Sequence, residues 1–183
     1  TWGARAYLVV FFVLTAWVVY LIGAQIWNRR VGAFTALVYA TSPFPIAAAN
    51  AVSTDTLLTL WYALSILFYW MARRRLNGLY ICAMWLAIGL GCLTKGPLGI
   101  LPLFGIAPFH WLMRRREPDQ PWLFNPVGLA LFAVVGMGWF FWKSYKYPGL
   151  MQYWFLHETV GRLAKGEFDR NPQFYKAFVI YLP

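Results

Sequence analysis

The sequence predicts an all-α fold, a polytopic transmembrane helical bundle, and three observations carry that prediction. Of the 183 residues, 61% are hydrophobic and only 12% are charged, whereas ordinary soluble domains carry about 25% charged residues. The apolar residues fall into runs of spanning length, since a hydrocarbon core of roughly 30 Å takes about 20 residues of helix. The arginines gather in short clusters at the ends of alternate runs, the pattern by which loops encode membrane topology. One partial transmembrane domain is expected over residues 1–183, with about six full spans and the start of a seventh.

Residues 6–27 form the first uncharged run, enough to cross with some tilt, and Asn28-Arg29-Arg30 ends it. This run is too long for a signal-peptide core and lacks a cleavage signature, so it reads as a true span. Residues 31–50 return across, and the prolines of Thr41-Ser42-Pro43-Phe44-Pro45 should kink that segment or end it early. Residues 56–72 cross back, closed by Arg73-Arg74-Arg75; Ser53 or Thr54 suits its N-cap, with Asp55 in the first turn.

Between Leu79 and Met113 lie 35 mostly apolar residues whose one formal charge is Lys95. As a single helix they would run roughly 50 Å, too long for one crossing. Gly96-Pro97 is where the chain can reverse, because proline lacks an N–H and restricts its predecessor while glycine tolerates unusual dihedrals. A hairpin is therefore expected, with limbs at residues 79–94 and 97–113 and Lys95 at its tip. Ala83, Ala87 and Gly91 recur every four residues on the outward limb, a small-residue face for close helix approach. Residues 123–142 make the sixth crossing, residues 143–173 are too polar to span, and a further apolar segment begins near 174. The chain opens on Thr1 and stops at Tyr181-Leu182-Pro183 as that run begins, so it reads as a fragment of something longer.

The loops at residues 28–30, 73–78 and 114–121 hold eight arginines, whereas the opposite short turns hold only Lys95. The positive-inside rule places the arginine loops in the cytoplasm. Asp55, Lys95 and the 143–173 loop, with His157, Glu158, Arg162, Glu167, Asp169 and Arg170, then share the external face. The formal charge of +10 is explained by topology and by anionic headgroups of membrane lipids, which argues against nucleic acid as a partner. Cys82 and Cys92, ten apart on one apolar helix, imply neither a disulfide framework nor a metal site.

Lys95 and Arg162 on one face would make a phosphate receptor, a point charge beside a planar fork. Each cation about 4 Å from a phosphate is worth roughly 1 kcal/mol in bulk water and about 4 kcal/mol at an effective dielectric near 20. Asp55 would position or polarise a second substrate, and His157-Glu158 would act as an acid/base pair or lend ligands to a divalent cation. Plainer readings stand beside these. Lys95 is equally a lysine snorkelling to water, Asp55 a charge favouring a helix N-terminus, and His157-Glu158 a solvated dipeptide. A zinc-protease motif fails, because Gly161 stands four residues after His157. His110 reads as an interfacial or hydrogen-bonded histidine, and Trp139 to Trp142 with Tyr145 and Tyr147 as an interfacial belt.

Three stretches in order, Ala49 to Leu58 around Ser53-Thr54-Asp55, Leu93-Thr94-Lys95-Gly96-Pro97, and Phe155 to Arg162 containing His157-Glu158, carry a family resemblance. The chain resembles the lipid-phosphate-dependent glycosyltransferases of the GT-C type, nearest to the bacterial aminoarabinose transferases that modify lipid A and to protein O-mannosyltransferase-like enzymes. The resemblance implies an integral, multi-pass protein of the bacterial inner membrane. It implies inverting transfer of a sugar from a polyprenyl-phosphate donor to a lipid or protein acceptor on the extracytoplasmic side. Lys95 and Arg162 would hold the donor phosphate, while Asp55, His157 and Glu158 would serve catalysis, with no certain cofactor beyond an optional divalent cation. The family's acidic residue between its first two spans and its C-terminal extracytoplasmic portion have no counterpart here, so the fragment alone is expected to be inactive. A transporter or lipid flippase is the rival reading, in which a broken hairpin with a lysine is a midplane substrate site; a non-catalytic scaffold is a third.

Overall fold

A computed structural model describes residues 3–51, 53–147 and 149. Helix α1 (Gly3–Ile26) gives way almost at once to α2 (Arg29–Thr41). The Asn28 side chain accepts a hydrogen bond from the Val31 backbone N–H at 3.0 Å, which starts the second helix. Ser42, preceding a proline, is extended, and Pro43 opens α3 (Pro43–Asn50) at a position where its missing N–H costs nothing. The axis bends by 56° between α2 and α3.

Helix α4 (Asp55–Arg75) has an acid in its first turn and three arginines in its last, both favoured by the helix dipole. Thr54 occupies the N-cap but makes no side-chain cap bond; the Ser53 hydroxyl instead accepts from the Asp55 N–H at 3.3 Å. Leu76 closes the helix in the left-handed region, φ 47°. Helix α5 (Gly78–Lys95) follows, capped by the Asn77 side chain, then a 3-10 turn over Gly96–Ile100 and α6 (Leu101–Arg114). Asn125 caps α7 (Pro126–Phe132), a π-helical turn spans Ala133–Met137, and α8 covers Gly138–Lys146. No strand occurs among the described residues.

Four stretches are long and apolar enough to cross a membrane, Ala6–Ile26, Asp55–Arg75, Gly78–Arg114 and Pro126–Lys146, or five with the bent α2–α3 pair counted as one. Of these, the 37-residue Gly78–Arg114 stretch is no single rod. Tyr62 in α4 reaches Leu98, Tyr69 reaches His110, and Arg73 reaches Glu117, so α6 runs parallel to α4. Asp55 meets Lys95 while Arg75 meets Tyr80, so α5 runs antiparallel to it. The chain reverses after Lys95.

Helix α4 is the hub. One side packs Leu60, Ala63 and Leu67 against Val18 of α1. Elsewhere Tyr69 and Ala72 join Ile81, Met84, Trp85 and Ile88 of α5, Ile106 of α6 and Leu123 in a second cluster. In lipid these contacts stabilise through close packing rather than escape from water, since acyl chains are as apolar as leucine. Large apolar side chains face outward on α1 and α2, among them Val9, Val13, Trp17, Phe34 and Val38. On α5, Ala87 and Gly91 are buried and Ala83 partly so. It approaches the 126–137 stretch closely at two places, backbone to backbone where Gly89 meets Phe132 and Gly136, and where the Trp85 ring lies on Gly128.

The charged side chains of α4, α5 and the loop after α6 collect at two ends. Arg73 pairs with Glu117 at 2.8 Å, Arg74 donates to the Gln25 carbonyl at 2.5 Å, and Arg75 donates to the Tyr80 hydroxyl at 2.8 Å. Asp55, Thr94, Lys95 and Leu98 occupy the other end, roughly 30 Å away along the length of α4. The chain divides into two compact units, Thr1–Trp139 and Phe140–Pro183. In the second, the Lys143 ammonium lies 5.3 Å from the centre of the Trp142 ring and 5.6 Å from that of Tyr147.

A candidate anion site at the hairpin turn

Lys95 is the last residue of an 18-residue helix, about 27 Å long at 1.5 Å per residue. It therefore sits at the end of a spanning element and not halfway along one. Gly96 has φ 64° and ψ −141°, a region closed to side chains by collision of Cβ with the backbone, so only glycine turns the chain here without strain. Gly99 then lies directly on the backbone of α5. A methyl group there would fall 2.6 Å from the Cys92 Cα and nearer still to the Cys92 nitrogen and the Gly91 carbonyl carbon.

Three side chains of α4 clasp this turn. The Trp61 Nε1–H donates to the Thr94 hydroxyl at 3.1 Å, and Thr94 in turn donates to the Leu90 carbonyl at 2.7 Å. The Tyr62 hydroxyl donates to the Leu98 carbonyl at 2.5 Å. Between those two anchors the Lys95 ammonium donates to the Asp55 carboxylate in a direct ion pair. The two side chains remain 39% and 48% exposed, respectively, so the pair contributes only about 0.2–1 kcal/mol. A half-exposed ammonium on a fixed turn suits the reversible holding of an anion; its carboxylate partner suits a hydroxyl or an amine.

Of the five residues singled out in the sequence, the structure thus brings Asp55 and Lys95 together. Sequence reasoning gave them separate roles, and the direct pairing is new. His157, Glu158 and Arg162 lie outside the described residues, as do most of the 143–173 loop and the apolar segment after 174. Among the described residues no cluster of three or more His, Cys, Asp or Glu could hold a metal ion. Trp61 and Tyr62 were missed. Tyr62 follows Asp55 by seven residues, two helical turns along the same face, and that spacing was the available signal.

The opposite end is a structural clamp. His110 is buried and shares a hydrogen bond with the Tyr69 hydroxyl through Nδ1 at 3.3 Å. The Arg73 guanidinium lies over the rings of Trp70 and Phe109 at 5.3 and 5.1 Å. Its hydrogen bond to Glu117, and then its charge, hold that carboxyl below its ordinary value of 4.5.

Together these features define a class, an integral membrane protein of packed α-helices with a half-exposed ion pair at the tip of a helical hairpin. The chain belongs to the dolichyl-phosphate-mannose-protein mannosyltransferase family, whose model matches residues 1–142. It is similar to the undecaprenyl phosphate-alpha-4-amino-4-deoxy-L-arabinose arabinosyl transferase of Pseudomonas aeruginosa (strain UCBPP-PA14), 30% identical over 99% of this chain and 33% of the relative. The arabinosyl transferase 1 of the same description from Pseudomonas fluorescens (strain Pf0-1) is 29% identical over 93% of this chain and 30% of its own length. That of Erwinia tasmaniensis is 27% identical, over 93% and 31%. The chain spans about a third of the length of these curated relatives. No solved structure matches it.

Proposed function

We propose that this chain is part of a glycosyltransferase that moves a sugar from a polyprenyl-phosphate donor to an acceptor at the extracytoplasmic face of a bacterial inner membrane. Six crossings and the start of a seventh make up its membrane domain. Lys95 and Arg162 hold the donor phosphate, and Asp55, His157 and Glu158 face the reacting groups. The names of its relatives point to a pentose, 4-amino-4-deoxy-L-arabinose, as the sugar and to undecaprenyl phosphate as the carrier. The names of these relatives leave the acceptor open between a lipid and a protein.

The observation that carries this reading is the position of Lys95. It lies at the end of a span, held on both sides by α4 and remote from the arginine-rich end. A transporter would want its lysine near the midplane with access from both sides, whereas a transferase needs it at the headgroup boundary. Two cations at the leaving phosphate neutralise the charge that develops as the glycosidic bond breaks, so departure needs no strong acid. The acceptor hydroxyl still wants a carboxylate base, and Asp55 and Glu158 are the candidates for it among the acids on that face.

The test is sugar transfer from a polyprenyl-phosphate-linked donor in membranes carrying the full-length protein with Lys95→Ala or Arg162→Ala. Losing one cation about 4 Å from the phosphate costs between about 1 kcal/mol in bulk water and about 4 kcal/mol at an effective dielectric near 20, roughly fivefold to a thousandfold in rate. Wild-type transfer by either variant removes that residue from the donor site.

A further inference from the structure

Lys95 is not an empty receptor, because Asp55 already occupies it. We infer that Asp55 is a resident counter-ion that an incoming lipid phosphate displaces, so that anion binding at the hairpin turn is an exchange of partners on Lys95. This inference rests on the donor-phosphate reading of Lys95 given above.

Three features make the exchange feasible. Opening the ion pair does not release the turn, because Trp61 holds Thr94 on one side of Lys95 and Tyr62 holds Leu98 on the other. The Lys95 backbone therefore stays in place while its side chain changes partner. Both charged groups are already partly hydrated, at 39% and 48% side-chain exposure, so separating them does not strand a buried charge. The released carboxylate also keeps a favourable setting. Asp55 is the first residue of α4, where the helix dipole favours an anion, and the Thr54 side chain makes no competing cap bond.

The exchange has a chemical consequence. With Asp55 in place the pair is net neutral and attracts anions weakly; with phosphate in place the lysine is neutralised and a carboxylate is freed beside it. Phosphate arrival thus creates an unpaired acid next to the donor, where an acceptor's hydroxyl or amino group would meet it. Lys95 cannot hold both anions at full strength, so donor binding and the resting pair are mutually antagonistic.

Equilibrium binding of undecaprenyl phosphate to the full-length protein in nanodiscs, followed by tryptophan fluorescence, tests this. Asp55→Asn should bind about 1.4- to 5-fold more tightly than wild type, the range set by an exposed ion pair of 0.2–1 kcal/mol. Lys95→Ala should bind at least about fivefold more weakly. In a Lys95→Ala background, Asp55→Asn should change affinity by less than a factor of about 1.4, because no pair remains to be broken. A gain that persists in that background means simple charge repulsion and overturns the exchange, as does weaker or unchanged binding by Asp55→Asn alone. Unchanged binding by Lys95→Ala overturns the donor-site reading itself, a separate outcome. Asp55→Ser serves as the second variant if the asparagine form does not accumulate in membranes.

Discussion

Replacing Gly99 with alanine should loosen the turn that carries Lys95. The added methyl would lie 2.6 Å from the Cys92 Cα, and closer to the Cys92 nitrogen and Gly91 carbonyl carbon. Ordinary contact between carbons is about 3.5 Å, so the turn must retreat by roughly 1 Å. All three obstructing atoms are backbone within α5 and cannot rotate away. The expected cost is therefore near the upper end of the overpacking range, about 3 kcal/mol. A retreat of that size also stretches the bond from Tyr62 to Leu98, now 2.5 Å, past useful length. Gly105→Ala is the matched control, a helical glycine with nothing within 4 Å of the added methyl, for which a gain of about 0.5–1 kcal/mol is expected. The assay is thermal unfolding of the full-length protein in detergent, with hydrogen exchange read over residues 94–100. Identical melting of the Gly99→Ala and Gly105→Ala proteins would refute the close packing of the turn on α5.

Removing the Tyr62 hydroxyl by Tyr62→Phe deletes one of the two anchors beside Lys95 and should cost about 0.5–1.5 kcal/mol in unfolding, with faster amide exchange confined to the turn. Uniform exchange across α5 and α6 would show that the hydroxyl does not hold the turn locally. At the other end, the depressed Glu117 carboxyl gives a pH signature. Its contribution is fully present above the unfolded value and is lost as pH falls through the lower folded value. Wild type should therefore lose thermal stability relative to Glu117→Gln as pH falls below its ordinary value of 4.5. Parallel melting profiles of the two proteins across that window would remove Arg73–Glu117 as a stabilising pair.

The features that could be read from the sequence depend on periodicity and on chain stereochemistry. Apolar run lengths and arginine clusters marked the helices, and the Pro43 and Gly96-Pro97 signals coincide with the 56° bend and with the reversal after Lys95. Pairings across helices were less visible, because they depend on rotational phase and register. That Asp55 would meet Lys95, 40 residues away, requires knowing how α4 and α5 face each other, which a run of leucines does not specify. The small-residue face shows the same limit. Gly91 was legible as a packing residue, but its partner is Gly99 within the hairpin, while Gly89 makes a close backbone approach to the 126–137 stretch. Trp61 and Tyr62 looked like ordinary span aromatics until the turn supplied acceptors for their polar atoms.

Because α4 and α5 are stitched together near both ends, by Trp61–Thr94 at one and Arg75–Tyr80 at the other, they behave as a strut of fixed length. A thinner or thicker bilayer can lean such a strut but cannot slide one helix along its neighbour without breaking a polar tie. The altitude of the Lys95 ammonium above the arginine collar is thereby set by protein geometry, and lipid composition acts on it only through the angle of lean.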